Sequence, residues 1–368
     1  MTTLTKDRPK ASKVSVAAVK AALRAVDPAV PAKAAKPSTK CVLLDSGTLT
    51  ATDGDLRITV LVDYYGPPML VPYDRLKAIV GNVPDKAEVT FTVDGTSARV
   101  RVPGGSWTFP VEAVSEFPAP LGGKAFPVAR IPADQFVRAV NSTALAIDKG
   151  GFRAAMSGVL LDVRGDEINF VGTDGRRVCV VECGVEQAVD DTLTVCPDHA
   201  LKAAAKMAER TEGAVQIEST RAVVVVSAEQ WRVETRVVDG TFPDWRAAFP
   251  DRDVTQTVVD REALRQAVAV ARVCADEVSR GVTMRLGASV RLSAKSSTNG
   301  EANVTCPVVE AGDEVAVTLD PRYVLEWLES LSGKDADPTV TIDAASAESV
   351  VIFRCDDATN LVMPLDPT

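Results

Sequence analysis

The feature that most constrains this chain is that it repeats itself. Proline, then a helical run of apolar residues, occurs as Pro72-Tyr-Asp-Arg-Leu76-Lys-Ala-Ile79-Val80, Pro197-Asp-His-Ala-Leu201-Lys-Ala-Ala-Ala205 and Pro321-Arg-Tyr-Val-Leu325-Glu-Trp-Leu328. The prolines fall 125 and 124 residues apart. A period of this length means three fused copies of one unit. Proline in the first turn of each predicted helix costs nothing, because its missing N–H would be unpaired there anyway.

A second landmark is a strand, the triplet Thr-Asp-Gly, and another strand. It occurs at Thr52-Asp53-Gly54 and Thr173-Asp174-Gly175, with a degenerate counterpart ending Asn299-Gly300. Trp107 and Trp231 repeat at the same spacing on strands that close their units. Alternating segments such as Glu88 to Val93 and Ala98 to Val102, separated by Asp94-Gly95, read as antiparallel hairpins. Each unit opens with an amphipathic helix, predicted over Ser15 to Val26, Ala133 to Ile147 and Arg261 to Ala275. Six short helices against antiparallel sheets make an α+β fold. The expected boundaries are an extension over 1–13 and units over 14–124, 125–252 and 253–368, linked at Phe117 to Lys124 and Phe249 to Asp253.

Composition excludes several classes. The 368 residues are 46% hydrophobic and 25% charged, a globular balance. No apolar stretch approaches the roughly 20 residues of a membrane span, and residues 1–14 lack the apolar core of a secretory signal. A cytoplasmic, non-membrane protein is expected. The seven cysteines include no CxxC pair and sit mostly in apolar runs, and His199 is the only histidine, so buried thiols and no metal site are expected. A net charge of −9 argues against nucleic acid held by the whole surface, but not against a local basic lining.

The helices carry such a lining. Val16, Val19, Leu23 and Val26 form one stripe of the first, leaving Lys20 and Arg24 together. The fourth sets Lys202, Lys206 and Arg210 opposite Leu201, Ala205 and Ala208, the fifth sets Arg265 and Arg272 against Leu264, Val268 and Ala271, and the third places Arg138 away from Phe136 and Val140. A solvated face explains any one of these, whereas recurrence in a repeat points to a shared basic surface suited to phosphates. The sixth helix dissents, with Arg322, Glu326 and Glu329 exposed.

Gly158 through Arg177 with its Thr173-Asp174-Gly175, the run Val238-Asp-Gly-Thr-Phe-Pro243-Asp-Trp-Arg246, and the terminal Leu361-Val-Met363-Pro364-Leu365 together resemble the bacterial sliding clamp family, the β subunits of DNA polymerase III. The resemblance runs from about Val14 to the end. It implies a DNA clamp fold: a head-to-tail homodimeric ring with three similar domains per chain, helices lining the inside and sheets outside. Duplex DNA would pass through without sequence readout, and the ring would tether a polymerase and be handled by a clamp loader through short peptide motifs. No cofactor is implied. The basic residues expected to face DNA are Lys20, Arg24, Arg138, Lys202, Lys206, Arg210, Arg265 and Arg272.

By the same resemblance, Trp107 and Phe109 meet Val273 and Cys274 across the dimer interface, with Trp107 as core of its own unit the other reading. A peptide groove is implied between the second and third units. Its residues are Met156, Thr173, Gly175, Arg176, Arg177, Val178, Pro243, Ala248, Ser349, Leu361, Val362, Met363, Pro364 and Leu365. An apolar tail would fray unless docked, which independently favours a built site at the end of the chain; it also fits a plain last strand. Arg176 and Ala247 stand where the family often has histidine and a second arginine. Further departures are the extension with Lys6 to Lys13, the segment Pro28 to Lys40 and the ending Asp366-Pro-Thr. These keep open a paralogue acting as a dimeric peptide-binding scaffold. An unrelated enzyme is the third reading, but Asp53, Asp55 and Asp174 read as turn residues, His199 has no nucleophile elbow nearby, and there is no Walker loop.

Overall fold

The computed structural model describes residues 11–365 except 35, 95–96, 111, 123–124, 152, 187–190, 251–253 and 332–336. Lys6, Gly95 of the expected turn, parts of both links and the Asp366-Pro-Thr ending therefore lie outside the described residues. Among the described residues there are six α-helices: α1 (Val16–Val26), α2 (Tyr73–Gly81), α3 (Ala133–Thr143), α4 (Asp198–Ala208), α5 (Arg261–Ala271) and α6 (Pro321–Ser330).

The structural repeat is half as long as the sequence repeat. Each helix is preceded by one strand and followed by three, six times over, with one additional short strand, Val308–Glu310, in the fifth copy. The leading strands Met69–Pro72, Phe126–Pro132 and Thr192–Pro197 end on proline, whose fixed φ turns the chain from strand to helix. Pro72 and Pro132 are thus helix caps, one position before the first turn, while Pro321 does sit inside it. Ser15 caps α1 through Ala18 N at 3.5 Å. The strand before α1, Ala11–Ser15, includes Ala11 to Lys13 of the expected extension and pairs with Glu88–Asp94. Helices α3 and α5 end earlier than expected, α5 passing into the single turn Arg272–Cys274.

Compactness divides the chain into two units. The first gathers residues through Val128 with His199–Val237, and the second gathers Ala129–Asp198 with everything from Val238. In the first, one antiparallel sheet runs Ala11–Ser15, Glu88–Asp94, Ser97–Val102, Gly105–Pro110, and another runs Met69–Pro72, Cys41–Asp45, Thr48–Thr52, Leu56–Leu61, Trp231–Arg236, Val223–Ala228, Ala214–Ser219. In the second, a nine-stranded sheet runs Thr192–Pro197, Gly158–Arg164, Glu167–Thr173, Arg177–Gly184, Ala358–Val362, Val351–Cys355, Thr339–Ala344, Thr255–Asp260, Val308–Glu310. A four-stranded sheet, Gly300–Cys306, Val290–Ser296, Val282–Arg285, Ala316–Leu319, completes it.

The apolar helix stripes cover the sheets as expected. Val16, Val19, Leu23 and Val26 of α1 are buried, as are Phe136 and Val140 of α3, Leu201, Ala205 and Ala208 of α4, and Leu264, Val268 and Ala271 of α5. Each larger side chain contributes about 1.5–3 kcal/mol by leaving water. Six cysteines are buried and Cys274 is half-buried. Among the described residues no helix is long and apolar enough to cross a membrane, and no cluster of potential metal ligands forms.

Candidate peptide groove and basic helix faces

In the second unit, the turn between Glu167–Thr173 and Arg177–Gly184 is set by its own side chains. Thr173 Oγ1 donates to Arg177 O at 2.7 Å and accepts from Gly175 N at 3.1 Å. Asp174 Oδ1 accepts from the amides of Arg176 and Arg177. Gly175 sits at φ +85°, where a side chain is strained, and a Cβ there would lie 3.6 Å from Met156 Cε. Asp53 closes the matching turn of the first unit the same way, accepting from Asp55 N and Leu56 N. Both aspartates are backbone fasteners.

Below this turn is an apolar floor of Leu160, Val171, Val178, Val180, Val195, Ile352 and Leu361, on which Val238, Phe242, Trp245, Ala248, Phe249 and Val350 pack. The structure thus brings Val178, Leu361 and Ala248 together, with Met156, Thr173, Ser349 and Val362 also buried. Gly175, Arg176, Pro243 and Met363 are exposed, while Pro364 and Leu365 are half-buried. The tail is both last strand and docked segment. Ala358–Val362 pairs with Arg177–Gly184, Met363 N then donates to Arg176 O at 2.9 Å, and Leu365 N donates to Thr318 O at 2.8 Å.

Arg177 is buried, its side chain 7% exposed. It donates to Asp174 (3.2 Å), Glu326 (2.8 Å) and Leu145 O (2.7 Å) and lies over the Tyr323 ring. The sequence marks Glu326 only as an exposed acid of the sixth helix and does not link it or Tyr323 to Arg177, because both stand on α6, far along the chain.

Sequence reading also missed how the segment packed on this floor is fastened. Asp162, with its side chain 1% exposed, accepts from Trp245 Nε1 at 3.0 Å and Arg164 Nε at 3.1 Å, and is ion-paired with Arg246. Burial disfavours its charge, yet the hydrogen bonds from Arg246, Trp245 and Arg164 hold its carboxyl below the ordinary range. The Val238-to-Arg246 motif was the available signal, and only Pro243 was taken from it.

The eight basic candidates separate into two groups. Arg24, Lys202, Lys206, Arg210 and Arg272 are exposed. Lys20 reaches Asp85 and Val83 O, both at 2.7 Å, Arg138 pairs with Asp356 and Asp357, and Arg265 pairs with Glu262 of its own helix. Those three are partly neutralised within the chain. Of the expected interface residues, Trp107 is 38% and Val273 69% exposed, Cys274 is half-buried, and Phe109 is buried under the Arg75 guanidinium.

Residues 130–244 match the family model described as DNA polymerase III beta subunit, central domain, and residues 246–366 match the model for its C-terminal domain. The chain belongs to the beta sliding clamp family. The beta sliding clamp of Pseudomonas putida is 23% identical over 325 residues, covering 86% of this chain and 88% of that protein. That of Escherichia coli K12 is 22% identical over 326 residues, covering 87% and 89%. Among solved structures, a Pseudomonas aeruginosa sliding clamp superposes with a TM-score of 0.89 at 20% identity over 97% of this chain and 99% of that one. A Bacillus subtilis clamp gives 0.87 at 18% identity, covering 97% and 99%. The α+β fold is the sliding-clamp fold, and the family is that of a non-catalytic polymerase subunit.

Proposed function

We propose that this clamp-family chain is a polymerase processivity factor: a cytoplasmic homodimeric ring that encircles duplex DNA, slides without reading sequence, and tethers a polymerase and is handled by a clamp loader through the groove on the second unit. The tail held at Arg176 O and Thr318 O, on the strand that contributes Leu361 to the apolar floor, is the observation that carries this reading. A short extended peptide with apolar anchors binds in a preformed groove of that kind.

Ring closure is supported by two sheet edges. Gly105–Pro110 and Gly300–Cys306 each end a four-stranded sheet, and edge strands are templates for pairing with another chain. Trp107 stands on one of these edges, and Val273 with Cys274 follows α5; Phe109 would support the interface from within its own chain. Arg24, Lys202, Lys206, Arg210 and Arg272 supply the exposed positive charge for DNA, each neutralising at most about one phosphate.

The internal pairing of Lys20, Arg138 and Arg265 favours a second reading, a dimeric peptide-binding scaffold with a weak DNA surface. Loading onto nicked circular plasmid, followed by linearisation, separates the two. A clamp stays on the circle and slides off the ends; a scaffold shows no difference between circle and line.

A further inference from the structure

The sheet that carries the groove has a counterpart in the first unit, strand for strand. Leu56–Leu61 pairs with Trp231–Arg236 there as Arg177–Gly184 pairs with Ala358–Val362 in the second unit. The turns fix the register. Thr52 Oγ1 donates to Leu56 O as Thr173 Oγ1 donates to Arg177 O, so Arg57 occupies the place of Val178. Cross-strand pairing then puts Glu234 at the place of Leu361. The same register sets Thr50 against Val171 and Thr59 against Val180, and the two threonine hydroxyls bond each other at 3.0 Å. Leu43, Leu70 and Phe117 match Leu160, Val195 and Phe249 and still pack together. One face of the first sheet has therefore exchanged four apolar floor residues for polar ones while keeping its apolar flank.

Those polar residues hold a segment of the chain itself. Arg57, 9% exposed, donates to Pro118 O at 2.7 Å with its guanidinium over the Phe117 ring, and Glu234, 7% exposed, accepts from Leu121 N at 3.2 Å. Ser38 Oγ adds a bond to Glu116 O at 2.8 Å. Displacing this segment would take the carbonyl partner from the buried Arg57 guanidinium and leave the buried Glu234 carboxylate only Arg232, at 3.0 Å, under an apolar ligand unable to replace the lost bonds. We infer that Arg57 and Glu234 determine specificity between the two sheets: they bind the chain's own 116–121 segment and make the first sheet refuse the apolar peptide that the second accepts.

The inference rests on the proposed peptide-binding reading, and its test separates the two. Arg57→Val with Glu234→Leu removes both charges, so neither is left unpaired. Calorimetric titration with a polymerase-derived clamp-binding peptide is expected to give one peptide per wild-type chain and two per variant chain. A folded variant that still takes one overturns the inference. The converse exchange, Val178→Arg with Leu361→Glu, is expected to abolish binding with circular dichroism and dimer mass unchanged; undiminished affinity in that protein also overturns it. Hydrogen exchange of the wild-type chain needs no variant. The Leu121 amide is expected to exchange at least tenfold more slowly than a solvated loop amide, and free exchange overturns the inference. A wild-type chain that binds no peptide sinks the peptide reading, and the exchange measurement then decides whether Glu234 holds the segment.

Discussion

The guanidinium of Arg177 lies 2.8 Å from the carboxylate of Glu326, 149 positions away, and bolts the Thr173-to-Arg177 turn to α6. Arg177→Ala leaves Asp174 and Leu145 O short of a donor and uncovers Tyr323, whereas Glu326→Gln removes only a half-exposed partner. The expected costs are about 2 kcal/mol for the first and under about 1 kcal/mol for the second. Urea unfolding of both variants measures the ratio. Equal losses would show that the ion pair, and not the buried guanidinium, carries the stability.

Asp162 gives the Trp245–Arg246 segment a pH dependence. Its folded carboxyl is held below the ordinary value near 3.8, so its stabilisation is fully present above that value and is lost as pH falls through the lower folded pKa. Wild-type unfolding midpoints should drop between about pH 4 and the acid limit more steeply than those of Asp162→Asn, which cannot titrate there. Parallel curves for the two proteins reject this role. At neutral pH, Asp162→Asn should also loosen Trp245, read as a shift in its fluorescence.

Much of the fold was legible because it rests on periodicity. The stripes on α1, α4 and α5 and the two Thr-Asp-Gly turns depend on neighbours within a few residues, and they stand where the pattern put them. The leading strands were not legible, since Met69–Pro72 is short, ends in proline and looks like a helix approach. Side-chain roles that need a partner from another segment were invisible. Nothing near Arg177 announces Glu326, nothing near Lys20 singles out Asp85, and Arg57 acquires meaning only once its strand is in register with Glu234.

The exposed charge of α4 bears the DNA reading most directly. Reversing Lys202, Lys206 and Arg210 together removes two positive charges from one face of α4 and a third from the turn that follows Ala208, where the helix ends two residues short of Arg210, and leaves the apolar side, Leu201, Ala205 and Ala208, untouched. Loading on circular DNA should fall and its salt dependence flatten by about three phosphate equivalents, with helicity preserved. Retention equal to wild type at every salt concentration rejects α4 as part of the lining.

Trp107 tests assembly. Its ring folds back over Gly105, where an added Cβ would come within 2.3 Å of it, and leaves one side open to solvent on an edge strand. Trp107→Asp puts a charge on that edge and should shift sedimentation toward monomer while costing the free chain little, because the residue is already 38% exposed. A wild-type chain that is monomeric at micromolar concentration removes the ring.

Deleting Met363 to Thr368 separates strand from groove. The strand Ala358–Val362 keeps its pairing with both Arg177–Gly184 and Val351–Cys355, so the second unit should retain its helicity, and the proposed dimer edges are not touched. What disappears is the bond from Met363 N to Arg176 O, the bond from Leu365 N to Thr318 O, and the exposed Met363 side chain. Methionine suits a wall that repacks around different ligands, so its loss weakens any apolar peptide and not one sequence alone. Binding of a polymerase-derived clamp-binding peptide should fall at least tenfold, about 1.4 kcal/mol, with dimer mass unchanged. Met363→Ala alone should account for the larger share if the side chain forms the wall, and Leu365→Ala if backbone docking of the tail shapes it. Full affinity in the truncated protein would place the peptide site elsewhere on the chain.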